Sequence, residues 1–184
     1  MIRLTRKTRE TDITLTLALS PGECRIATDD PFLSHMLATL ARYANVTLTL
    51  EATGDLRHHL IEDTAIALGE AFKRAAPEAR VRYGHAVVPM DDALVEVALD
   101  LGDRPYAETP VPSSLYAHWF RSFATEARAT LHVRVLRGRD RHHVVEAAFK
   151  ALGFALRQAV AVSDDVQSTK GAARWDDTPA PEAR

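Results

Sequence analysis

From Thr11 to Leu19 the chain alternates, with Ile13, Leu15, Leu17 and Leu19 on one side and Thr14, Thr16 and Ala18 on the other. That period of two predicts a half-buried strand. Pro21-Gly22 predicts a turn, and Cys24 to Ala27 a short second strand pairing with the first as a hairpin. Asp30-Pro31 opens a helix that carries Phe32, Leu33, Met36, Leu37 and Leu40, with His35 riding on it. Val46 to Leu50 alternates again as a strand, and Thr53-Gly54-Asp55 turns the chain. A longer helix then starts at His58 and is closed by Pro77. The first half therefore reads β-β-α-β-α.

The second half repeats that order. A strand is expected near His85 to Val88, then a break at Pro89, an alternating strand from Leu94 to Leu99, and another beginning at Arg104-Pro105-Tyr106. After the linker Pro110-Val111-Pro112-Ser113-Ser114, Leu115 to Ala124 is helical with Tyr116, Trp119, Phe120 and Phe123 as its apolar face. A strand from Thr130 to Leu136, a turn at Gly138 and a helix from His142 to about Val162 complete the unit. Residues recur as well as elements: Phe32-Leu33-Ser34-His35 lines up with Leu115-Tyr116-Ala117-His118, and Ala67-Leu68-Gly69 with Ala151-Leu152-Gly153. The predicted fold class is α/β, an α+β sandwich made by duplicating β-β-α-β-α, with sheets on one side and helices on the other. Residues 1–80 and 81–165 form the halves. Residues 166–184 hold a loop at Ser168–Gly171 and a tail, rich in proline and lacking apolar period, that is expected to be disordered.

Composition narrows the chemistry. With 23 basic and 25 acidic residues the formal net charge is -2, so no nucleic-acid footprint or membrane-surface patch covers the chain and any anion site must be local. The single cysteine, Cys24, excludes an internal disulfide, and Met1 to Arg6 has no apolar signal core; a cytoplasmic protein is expected. Eight histidines beside one cysteine point any metal site toward nitrogen and oxygen ligands.

The sharpest repeat is His58-His59-Leu60-Ile61-Glu62, which returns as His142-His143-Val144-Val145-Glu146. On a helix the glutamate lies about 40° round from the first histidine and the second histidine about 100° round, so the carboxylate sits between two splayed imidazoles. Such a pair grips one ion badly and serves two neighbouring ions well. One copy alone reads as a solvated helix start; duplication turns the reading to metal. His58, His59, Glu62, His142, His143 and Glu146, with His35 and His132 added from the preceding helix and strand, suit two ions that keep open positions for a substrate. His118, the repeat partner of His35, is given a packing role in the aromatic face, and His85, without a partner, a strand-edge role. Ser168-Thr169-Lys170-Gly171 with Arg82 and Arg104 could bind a phosphate, although by themselves they read as a polar tail and solvated arginines. Glu10 and Asp91-Asp92, at turns, could move a proton or simply be surface charge; Cys24 has no base near it and is not read as a nucleophile.

Taken in order, several motifs resemble imidazoleglycerol-phosphate dehydratase, the manganese enzyme of histidine biosynthesis. They are Arg6-Lys7-Thr8-Arg9-Glu10-Thr11, Pro31-Phe32-Leu33-Ser34-His35-Met36-Leu37, His58-His59 with Glu62-Asp63, Arg82-Tyr83-Gly84, and Pro89-Met90-Asp91. Gly102-Asp103-Arg104-Pro105-Tyr106, Leu131-His132-Val133, His142-His143 with Glu146-Ala147, Phe149-Lys150-Ala151 and Ser168-Thr169-Lys170-Gly171 continue the series. The resemblance implies two Mn(II) ions per active site, held by His35, His58, His59, Glu62, His132, His142, His143 and Glu146 at sites shared between subunits of a 24-subunit shell built from trimers. It also implies that Arg82, Arg104, Ser168 and Lys170 bind the substrate phosphate, with Glu10 and Asp91 near the reacting carbons.

The substrate's C2 hydrogen is not acidic, so the imidazole ring must take the electrons. Two ions on its nitrogens would stabilise an imidazolate that expels the neighbouring hydroxyl to a diazafulvene; loss of the C2 proton then gives an enol and the ketone of imidazole-acetol phosphate. Glu10 and Glu146, supported by Asp91, are the expected proton carriers.

The chain departs from the usual family pattern at Ser34, Leu60, Asp92, Gln167 and Ala172-Ala173, and in the short loop Gly54-Asp55-Leu56-Arg57 before His58. These departures bear on how ligands are oriented. Two other readings stay open: a metal-binding, shell-forming homologue with little turnover, and a dinuclear hydrolase of a small phosphorylated metabolite.

Overall fold

The computed structural model describes residues 1–164, so Ser168, Lys170 and the rest of the C-terminal stretch lie outside the described residues. Each repeat makes a four-stranded mixed sheet and two helices. In the first, β1 (Ile2–Lys7), β2 (Thr11–Ala18), β3 (Cys24–Thr28), α1 (Pro31–Ala44), β4 (Thr47–Gly54) and α2 (Arg57–Ala75) give the sheet order β1-β2-β4-β3. In the second, β5 (Tyr83–Met90), β6 (Ala93–Asp100), β7 (Tyr106–Glu108), α3 (Ser114–Glu126), β8 (Thr130–Arg137) and α4 (Arg141–Ala159) give β5-β6-β8-β7. The expected β-β-α-β-α unit is present twice, and in each copy a further strand precedes it, β1 in the first and β5 in the second.

Local chemistry explains the boundaries. Asp30 caps α1 by accepting from the Leu33 amide at 2.8 Å, and Pro31 takes the first helical position. Asn45, left-handed at φ 58°, closes the same helix. Asp140 caps α4 through the His142 amide at 2.7 Å. Ile13, Leu15 and Leu17 are buried on the inner face of β2 as their alternation requires, with Leu15 opposite Leu50 and Leu17 opposite Leu48 on β4.

Two expectations are corrected. Cys24–Thr28 does not form a hairpin with the preceding strand; it runs parallel to β4, with Ile26 opposite Leu50, and leaves β2 to pair with β1 and β4. A parallel neighbour needs a crossover, and α1 supplies it. Nor does Pro89 break a strand: β5 runs through it because β5 is an edge, where a missing N–H costs no ladder bond.

The helices lie between the sheets. α2 packs under β1, β2 and β4, and α4 on β5 and β6, while across the middle α1 packs on α4 and α2 on α3. Each cross-repeat pair runs in the same direction, with Glu62 beside His118 and Gly69 beside Phe123 and Ala127. The repeated Ala-Leu-Gly falls where these helices cross. A Cβ on Gly69 would sit 2.7 Å from the Phe123 carbonyl oxygen, and one on Gly153 2.9 Å from that of Leu40. One hydrophobic core therefore spans both repeats, with Trp119, Phe120, Phe123 and Phe149 in mutual ring contact at its centre.

Candidate metal centres

The cross-repeat helix pairs bring the histidines together in two groups. His35 of α1 meets His142 and Glu146 of α4, and His58 and Glu62 of α2 meet His118 of α3; within each group the donor atoms all lie within 4.8 Å. Each group thus takes ligands from both repeats. Glu146 Oε2 is 3.1 Å from His142 Nε2 and 3.4 Å from His35 Nε2, while Oε1 receives Lys150 Nζ at 3.0 Å. Glu62 divides its oxygens, Oε1 lying 3.1 Å from His118 Nε2 and Oε2 3.5 Å from His58 Nε2. Despite that approach, His118 Nε2 is buried without a hydrogen-bond partner among the described residues. A cation between the ring nitrogen and the carboxylate would satisfy both, and the two-imidazole, one-carboxylate donor set suits a divalent ion with open positions. The groups fit a metal.

The carboxylates are not equivalent. Glu146 is 7 % exposed; burial opposes its ionisation, but Lys150 and His35 outweigh it and hold its carboxyl below the ordinary value. Glu62, with a side chain 34 % exposed, pairs with no lysine among the described residues. Nothing in the sequence signals this role of Lys150, because a lysine four residues after a glutamate reads as an ordinary surface pair.

The second histidine of each pair turns toward a hairpin. His59 Nδ1 contacts Asp55 at 2.8 Å and lies 3.7 Å from Glu10; His143 contacts Asp92 at 2.7 Å through Nδ1 and Asp91 at 3.3 Å through Nε2. The hydrogen bond to Asp55 raises the pKa of His59, and that to Asp92 raises His143. Asp92, accepting from the Arg139 amide at 2.6 Å as well as from His143, is pushed down to about 2. Asp63 fixes the first hairpin: it receives Arg6 Nη2 at 2.8 Å and the Thr11 hydroxyl at 2.5 Å, so Glu10 is held over the start of α2.

His132 does not join either group. It points outward from β8, 3.9 Å from Glu108 and against the Tyr106 ring, while His118 joins Glu62 and His58 within the chain. Arg82 and Arg104 meet at Asp100, Arg82 in a two-point pair at 2.5 and 2.8 Å and Arg104 at 3.9 Å. They sit at the far end of α4, where the Arg82 amide bonds the Ala159 carbonyl. At 1.5 Å per residue that is about 25 Å from His142.

Fold and site define an internally duplicated α+β protein with two candidate divalent-metal centres. The family model described as imidazoleglycerol-phosphate dehydratase matches residues 28–156. The imidazoleglycerol-phosphate dehydratase of Pyrococcus furiosus is 46% identical over 175 residues, covering 90% of this chain and 98% of the relative. That of Pyrobaculum calidifontis is 48% identical over 183 residues, covering 90% and 96%. Among solved structures, the Pyrococcus furiosus enzyme in complex with (S)-C348 superposes with a TM-score of 0.85 at 44% identity, over 92% of this chain and 100% of that one. The Staphylococcus aureus enzyme gives 0.78 at 30% identity, over 88% and 98%. The chain belongs to the imidazoleglycerol-phosphate dehydratase family, hydro-lyases of histidine biosynthesis.

Proposed function

We propose that the chain dehydrates imidazoleglycerol phosphate to imidazole-acetol phosphate with two Mn(II) ions per active site, one ion at His35, His142 and Glu146 and the other at His58, Glu62 and His118. The observation that carries the reading is the pair of matched imidazole–carboxylate groups, each with an exposed histidine facing solvent. When bound, such ions act as Lewis acids on the two ring nitrogens of the substrate. Lys150 holds Glu146 Oε1 and leaves Oε2 for the metal side. His59 and His143, splayed away from their own groups, complete the coordination from a neighbouring subunit. Glu10 and Asp91 are the proton carriers at the substrate carbons, Glu10 poised by the Asp63 anchor and Asp91 held against His143. Glu146 shares that work.

Arg82 and Arg104 bind the phosphate, with Ser168 and Lys170 from the C-terminal stretch. A separation of about 25 Å from the metal groups of the same chain is far longer than three carbons between an imidazole and a phosphate. That distance supports active sites shared between subunits; the 24-subunit shell of trimers rests on the family resemblance. The outward face of the second sheet, with exposed Tyr83, Val87, Tyr106 and Leu136, is suited to subunit contact. We place the reaction in the cytoplasm, in keeping with the free Cys24; among the described residues no helix is long and apolar enough to cross a membrane.

The deciding experiment supplies purified, Mn-loaded protein with imidazoleglycerol phosphate and follows the ketone. A correctly assembled, metal-replete sample that forms none would overturn the reading. Glu10→Gln is expected to lower turnover by about 10²- to 10⁴-fold with metal content unchanged, and wild-type turnover in that variant would remove Glu10 from the mechanism.

A further inference from the structure

The first repeat closes the start of α1 with its own carboxylate. Asp30 Oδ1 accepts from the Leu33 amide at 2.8 Å, and Oδ2 pairs with Nε of Arg57, the first residue of α2. Under the internal duplication Asp30 corresponds to Ser113, Leu33 to Tyr116, and Arg57 to Arg141, the first residue of α4. The second repeat has every part of this arrangement except the anion.

Ser113 makes no side-chain cap on α3, and the bond from the Ala117 amide to the Ser113 carbonyl, at 2.8 Å, is the first of the helix. The amides of Ser114, Leu115 and Tyr116 precede it and point out of the helix start. Arg141 donates Nε to the Pro112 carbonyl at 2.7 Å, and among the described residues no carboxylate pairs with its guanidinium. Arg141, Ser113, Ser114 and Tyr116 line one groove of about 310 Å³, together with Arg57 and His142. Tyr116 is 2 % exposed; its buried hydroxyl lies beside Arg57, which can only donate, and among the described residues it has no acceptor for its own hydrogen. A tyrosine hydroxyl can donate as well as accept. A buried donor without an acceptor is costly unless a ligand provides one.

We propose that this groove binds a phosphoryl-type oxyanion, held by Arg141, the first amides of α3 and the Tyr116 hydroxyl, in the place that the Asp30 carboxylate fills in the first repeat. The guanidinium gives charge and a forked donor, the helix start gives converging N–H groups, and the phenol gives a fixed neutral donor. The site lies at the opposite end of α4 from Arg82 and Arg104, and it borders His142 of one metal group. Either the phosphoryl tail of a small metabolite or free phosphate presents the oxygens it needs.

The test reads binding rather than turnover, so it stands or falls apart from the dehydratase reading. In metal-loaded protein carrying Arg104→Gln, which weakens the other phosphate site, inorganic phosphate and glycerol 3-phosphate are titrated by calorimetry. Saturable phosphate binding is expected to remain, to weaken roughly tenfold or more on adding Arg141→Gln, and to weaken several-fold on adding Tyr116→Phe. Tyr116→Phe deletes only the unpaired hydroxyl, so without phosphate its melting temperature should be unchanged or higher. Competition between the two probes identifies a phosphorylated metabolite as the ligand, and binding of inorganic phosphate alone identifies the free ion; both support the site. Absence of binding in the Arg104→Gln protein, or binding that Arg141→Gln leaves intact, overturns it.

Discussion

His118 turns toward Glu62 and His132 toward Glu108, and the reason lies in the elements that carry them. Tyr116, Trp119, Phe120 and Phe123 make one face of α3, and at 100° per residue His118 falls about 160° from its middle, so it faces α2 rather than the aromatic core. His132 alternates with the inward Leu131 and Val133 and must face out. His118→Ala is therefore expected to bind about one metal ion fewer per chain, as read by elemental analysis; wild-type metal content would remove His118 from the site. The paired His-His-x-x-Glu was legible because repetition at one helical register leaves little else it can mean. The place of His118 was not, since aromatic neighbours at helical spacing read as packing. The pairs to Asp55 and Asp92 raise His59 and His143 above 6.5. In the metal-free chain those pairs stabilise the fold below pH 6.5 and fade as pH rises through the raised values. Ligand histidines must be neutral, so protons go on competing with metal above pH 6.5. Apparent Mn(II) affinity should climb between about pH 6 and 8, with protons released on binding. A flat affinity over that range, measured by calorimetry in matched buffers, would exclude these histidines as ligands.

At the scale of elements, Gly69 and Gly153 do for the helices what no larger residue could. Glycine inside a helix usually costs about 1 kcal/mol relative to alanine, yet here alanine would drive its Cβ into the backbone of the facing helix. Gly153→Ala is expected to destabilise by about 1–3 kcal/mol instead of stabilising, and to loosen metal binding at His35 more than at His58. Gly69→Ala should destabilise likewise and loosen binding at His58 more than at His35; chemical denaturation and metal titration of the two variants check this, and a gain in stability for either would show that the helices do not meet so closely. The repeated Ala-Leu-Gly was visible in the sequence, but which helices crossed there was not, because hydrophobic period tells which face is buried and not against what. The same gap explains Cys24–Thr28: its strand character was readable, whereas its parallel partner β4 lies beyond an intervening helix.

Over the whole molecule, duplication fixes the parts and cross-packing assigns the partners. Sequence reading recovered two β-β-α-β-α halves and an α+β sandwich, and the structure exchanges their helices across the middle so that both halves share one core. A chain cut in the loop after Pro77 should give fragments that are each unstable, having lost the facing helices, and that recover helical signal together. Metal binding is the sharper readout. Since each group draws ligands from both repeats, a divalent ion in either position works as a coincidence detector for the two halves. It is retained only when both have arrived and closed on each other, so metal occupancy of co-expressed fragments would report correct docking where compactness alone could not.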